Sequence, residues 1–84
     1  TDRSLFPKIY ELRGNTFSKL NKFAEAISDL DAAIRYSPSD PSLYYEKGKA
    51  LLKLGAEQEA ITILSKAEQL GSLDASSLLS TLIK

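Results

Sequence analysis

The side chains that most often carry catalysis are missing from this chain, which has no histidine and no cysteine among its 84 residues. Their absence removes the commonest general base, the thiol nucleophile and the zinc-thiolate ligands, and it rules out a disulfide framework. Asp29 and Asp31 are the nearest approach to an acid/base pair. Residues two apart point to different faces of a helix, so they do not form one. Eleven serines fall largely at turns and in the last stretch of chain, and no nucleophile motif surrounds them. We therefore expect no enzyme and no cofactor, and recognition chemistry is what remains.

Charge narrows the kind of recognition. Eleven basic residues balance 11 acidic ones, and a nucleic-acid or membrane-surface binder would show a basic excess. No apolar run approaches the roughly 20 residues that span a bilayer, and no secretory h-region is present. The expected partner is another protein, with no nucleic acid and no membrane insertion, in an intracellular and cytoplasmic setting.

The elements that must position such a surface follow from an internal repeat. Shifted by 34 residues, Pro7-Lys-Ile-Tyr-Glu-Leu-Arg-Gly14 aligns with Pro41-Ser-Leu-Tyr-Tyr-Glu-Lys-Gly48. The same register pairs Lys19/Lys53, Leu20/Leu54, Glu25/Glu59, Ala26/Ala60, Ile27/Ile61, Leu30/Leu64, Ala33/Ala67 and Asp40/Asp74. That makes 11 identities over 34 positions, against roughly two from average composition.

Each unit reads as two helices. Ile9, Tyr10, Phe17 and Leu20, then Leu43, Tyr44, Leu51, Leu52 and Leu54, recur at helical spacing in the first helix. Breaks at Asn21-Lys22 and Gly55-Ala56 precede second helices carrying Phe23, Ala26, Ile27, Leu30, Ala33 and Ile34, then Ala60, Ile61, Leu64, Ala67 and Leu70. Pro38 stops one helix, Asp40 can cap the next, Pro41 suits its first turn, and Gly71 suits the end of the fourth. Gly14 and Gly48 fall mid-helix, where glycine costs about 1 kcal/mol relative to alanine. Their spacing to Ala26 and Ala60 suits a close crossing of paired helices. Nothing alternates with period two, so no sheet is expected.

The pattern resembles the tetratricopeptide repeat, a 34-residue helix pair. Tyr10, Gly14, Phe17, Ala26, Leu30, Ala33 and Pro38 carry the resemblance in the first unit, and Tyr44, Gly48, Leu51, Ala60, Leu64 and Ala67 in the second. The implied fold is all-α, a right-handed superhelical stack of antiparallel helix pairs with about five helices. Its units would be 7–40 and 41–74, and 75–84 would be either a capping helix or the start of a third unit. In that last helix Asp74 is the expected cap, with Leu78 in the aromatic's place and Leu82 in the glycine's. Ser72 stands where the second unit's closing proline would fall.

The resemblance also implies a concave groove lined by first helices. Carried onto this chain, the groove holds Lys8, Glu11, Asn15, Ser18 and Lys19, then Ser42, Tyr45, Lys49, Leu52 and Lys53, then Ser76 and Leu79. Four lysines against Glu11 alone would favour an acidic peptide or a C-terminal carboxylate, with Tyr45 and Leu52 as apolar anchors. The outer face would then be acidic, through Glu25, Asp29, Asp31, Glu57 and Glu59. The same lysines could equally be solubilising.

Asn15 matches the first asparagine with which co-chaperones of this family hold a terminal carboxylate. Glu11 reverses the charge of the first clamp lysine, Glu46 replaces the second asparagine, and Ser76 and Ser80 replace the last basic pair. A chaperone-tail clamp is therefore not expected. The function implied is a non-catalytic interaction module of a scaffold or co-chaperone-type protein. The alternative is a weak homo-oligomer formed through Leu5 and Phe6 or through the apolar last helix.

Overall fold

The computed structural model describes residues 5–83 as five helices in a slab of 46 × 27 × 16 Å. They are α1 (Phe6–Lys19), α2 (Phe23–Tyr36), α3 (Pro41–Lys53), α4 (Glu57–Gln69) and α5 (Leu73–Leu82). Each helix packs on the next in sequence, α1 only touches α3, and there is no strand among the described residues. Lys84, at the end of the expected last helix, lies outside them.

The turns explain these boundaries. α1, α3 and α4 all end in the same way, with a residue in the left-handed region just past the helix: Asn21 at φ 62°, Gly55 at 83° and Gly71 at 108°. In each, two reverse hydrogen bonds satisfy the last carbonyls, as with the Asn21 amide to Ser18 O (3.0 Å) and the Lys22 amide to Phe17 O (2.8 Å). α2 ends differently, one residue before the Ser37-Pro38 step, and Tyr44 donates its hydroxyl to the Pro38 carbonyl at 2.8 Å. Asp40 caps α3 by accepting from the Ser42 amide at 3.0 Å, with Pro41 at the first helical position.

One cap falls elsewhere than expected. Ser72, not Asp74, accepts from the Ala75 amide at 3.0 Å, and α5 begins at Leu73. The four-residue linker before α3 has become three residues before α5, and α4 is one residue shorter than α2. Counted from the caps, α5 is thus two residues ahead of the 34-residue register. Ser80, not Leu82, takes the place of Gly48, while Ala75 and Leu79 take those of Leu43 and Lys47.

The interior is thin and divided in two. Leu30, Ala33 and Leu43 form one buried cluster, with Tyr10 and Ile34 against it. Leu64, Ala67, Ala75 and Leu79 form the other, joined by Tyr44, Tyr45, Leu52, Ile61, Leu78 and Leu82. Phe6 meets Tyr36 edge-on at 5.5 Å, and Tyr36 stacks on Tyr10 at 6.1 Å, closing the open end of the first pair with aromatic rings. Ile9, one of the apolar residues at helical spacing, is 55% exposed.

Both mid-helix glycines sit at helix crossings, but unequally. A Cβ on Gly14 would stand 3.2 Å from Leu30 Cγ and 3.3 Å from the Ala26 carbonyl. On Gly48 it would stand 2.5 and 2.6 Å from Cδ2 and Cγ of Leu64, one turn beyond the expected neighbour Ala60. Gly48→Ala is therefore expected to cost ~1–3 kcal/mol by overpacking. Gly14→Ala should come out near neutral, because alanine's helix preference of up to ~1 kcal/mol offsets the tighter fit. Urea denaturation of the two variants checks the order, and an equal response at both positions would contradict it.

Candidate functional site

The helix crossings hold the C-terminal halves of α1 and α3 on either side of a cleft of about 400 Å³. Asn15, Ser18 and Lys19 of α1 line one wall, and Glu46, Lys49, Ala50 and Lys53 of α3 line the other. Asn21 and Phe23 close one end, brought there by the left-handed turn at Asn21. Three lysines face one glutamate, so the cleft is cationic. Lys49 is held from two sides, 3.3 Å from Glu46 and 4.7 Å above the Tyr45 ring centroid. Lys19 and Lys53 make no ion pair among the described residues.

One polar atom in this cleft lacks what it needs. Asn15 Oδ1 is shielded from solvent and accepts no hydrogen bond. A buried acceptor left unpaired costs about 1–3 kcal/mol.

Not every residue expected in the groove reaches this cleft. Lys8 and Glu11 pair with each other at 3.6 Å nearer the start of α1, and the Ser42 hydroxyl, which donates to Asp40 Oδ1 at 2.8 Å, lies 3.5 Å from Glu11. Tyr45 and Leu52 are half-buried against the α4–α5 cluster, and Leu79 is only 5% exposed inside it. Ser76 donates its hydroxyl to Glu68 at 2.8 Å. Tyr45 and Leu52 are therefore spent on the interior rather than left free as anchors, and Tyr45 reaches the site only through its ring beneath Lys49. Asn21 and Phe23 were read only as a break and a helix start. Their one signal was the shared position of the Asn21 and Gly55 turns.

The acidic outer face needs a correction. Glu25, Glu57 and Glu59 are exposed, but Asp29 is 5% exposed. It accepts two hydrogen bonds from Arg13, Nε at 2.7 Å and Nη2 at 2.8 Å. This two-pronged contact fastens α1 to α2 and allows a carboxylate to be buried. Those hydrogen bonds, then the carboxylate's charge, push the guanidinium pKa further up, so Arg13 is a permanent cation. Asp31 is tied to Lys47 of α3 at 2.7 Å. Both aspartates hold helices together.

A family model described as tetratricopeptide repeat matches residues 12–75, well over half of the chain. The chain belongs to the tetratricopeptide-repeat family. No curated protein matches it. In this tetratricopeptide-repeat chain the paired helices, the glycine crossings and the cleft between first helices all come from one repeated unit. Among its described residues there is no cluster of metal-ligating side chains, and no helix is long and apolar enough to cross a membrane.

Asn15→Ala removes the unpaired acceptor and substitutes a better helix former. It is expected to leave the free protein as stable or up to ~1–2 kcal/mol more stable. Thermal unfolding followed by circular dichroism checks this, and a clear loss of stability would show that Oδ1 is paired in solution.

Proposed function

We propose that the chain is a non-catalytic module that takes an acidic segment of another protein into the cleft between α1 and α3. Repeats of this family are protein-interaction modules, which supports the class of partner. The acidic character of the ligand rests on Lys19, Lys49 and Lys53 around a cleft with Glu46 as its one carboxylate. The observation that carries the reading is the gathering of these three lysines on facing helices, with Lys19 and Lys53 in no ion pair among the described residues. An extended acidic peptide brings several carboxylates to the lysines in one strand of chain.

The chaperone-tail clamp is not revived by the shifted register of α5. Counted from Ser72, the places of its last basic pair fall on Asp74 and Leu78, neither of them cationic. An internal acidic stretch or a differently held C-terminal carboxylate fits better, within a scaffold or co-chaperone-type protein.

The test uses the intact chain and a fluorescent synthetic peptide of alternating aspartate and leucine with a free C-terminus. Lys49→Glu with Lys53→Glu is expected to weaken binding at least tenfold, and salt at ~0.5 M should weaken binding to the natural chain in the same direction. Helical content should not change, since both lysine heads lie outside the interior. Unchanged affinity after the double reversal would exclude the cleft as the binding site.

A further inference from the structure

The cleft between α1 and α3 offers apolar contact as well as charge. Tyr45 and Leu52, the expected anchors, are half-buried against the α4–α5 cluster. In their stead Phe23 stands at one end of the cleft and Ala50 in one wall, beside the aliphatic stems of Lys19, Lys49 and Lys53. Phe23 is half-buried, and the repeat does not require a ring there. Thirty-four residues on, Glu57 begins α4 as Phe23 begins α2, and Glu57 is exposed. The second unit thus folds with a glutamate where the first carries a ring. The ring at the end of the cleft is peculiar to this site.

The lysines show what kind of group is missing. Lys49 has two partners on its own helix, Glu46 at 3.3 Å and the Tyr45 ring with its centroid 4.7 Å away. Acid and ring are neighbours in sequence, and one ammonium engages both. Lys19 and Lys53 occupy equivalent places in the repeat, each the last residue of its helix, and both are exposed. Neither has an ion pair or a ring beneath it among the described residues. A ligand that brings an acid next to a ring would give them what Lys49 already has.

We propose that the cleft selects an aromatic side chain directly flanked by carboxylates. The ring lies against Phe23 and Ala50, and the flanking acids meet Lys19 and Lys53. This rests on the reading of the cleft as a site for an acidic segment, and it adds the residue that fixes the segment's register. Size sets the limit. A cleft of about 400 Å³ lies toward the small end of ligand sites, which run ~300–1,000 Å³, and holds one large side chain with its backbone. A single turn of helix, ~10–12 Å across and ~5.4 Å long, already exceeds it, so the segment is extended. A ring is favoured over an aliphatic chain for two reasons. Paired rings gain from offset or edge-on contact beyond the area they bury. An ammonium is also drawn to a ring face, as Lys49 is to Tyr45. Leucine brings area alone.

The experiment measures binding of the intact chain to four fluorescent peptides with blocked termini. Three carry phenylalanine, leucine or alanine between two pairs of aspartates, and the fourth carries phenylalanine between two pairs of serines. Phenylalanine is expected to bind about tenfold tighter than alanine and about threefold tighter than leucine. Serine flanks should weaken binding about tenfold. Phe23→Ala should remove most of the preference for phenylalanine and leave the alanine-centred peptide unaffected, with circular dichroism showing the helices intact. The peptide series itself needs no variant. Leucine or alanine serving as well as phenylalanine, with every acidic peptide still weakened by Lys49→Glu with Lys53→Glu, would overturn ring selection and leave the acidic-segment reading standing. Indifference of every peptide to that double reversal would overturn both.

Discussion

The structure depends on how closely two helices approach at Gly48, where Leu64 fills the space a side chain would need. Helices of 10 to 14 residues have little stability alone in water, so packing supplies nearly all of it. With few large side chains to bury, the chain relies on proximity. Glycine on one helix and alanine or leucine on its partner let the backbones close in, and Ala26, Ala33, Ala60 and Ala67 are all fully buried at these junctions. The distance thus set carries through to the next layer. Where α3 lands beside α1, and so how wide the cleft between them is, follows from the packing of α1 on α2 and of α2 on α3.

Much of this was legible in the sequence because small residues at fixed spacing have few reasons to recur other than a crossing. The helix stops were legible for a similar reason, since Asn21, Gly55 and Gly71 mark a backbone geometry that other residues resist. What misled was the pairing of Asp40 with Asp74. It is a true identity in the 34-residue register, but a cap is chosen by where the preceding helix ends, and α4 with its linker ends sooner. Ser72 therefore caps first. Asp29 was misplaced for a different reason. Whether a side chain is buried depends on what lies beyond it, here Arg13. That neighbour cannot be read from local spacing.

Among the charged residues, two groups stand out that the balanced totals conceal. Arg13 with Asp29 and Lys47 with Asp31 join one helix to the next, and each is anchored by a carboxylate on α2. Lys19, Lys49 and Lys53 gather instead at the cleft. α2 is thus an electrostatic hub with a cation reaching it from each neighbour, while the cleft lysines sit on α1 and α3. Substitutions on the two groups should therefore separate stability from binding.

The order of contacts along the chain has a mechanical consequence. Because each helix packs chiefly on its immediate neighbours in sequence and the interior is split into two clusters, no clasp between α1 and α5 among the described residues resists a pull on the two ends. Tension would peel the stack from an extremity, helix by helix, in small steps at low force. A domain whose first and last elements lie side by side would instead rupture in one event. A module built in this way would lengthen gradually under load and re-zip quickly, because its closing contacts chiefly join helices adjacent in sequence.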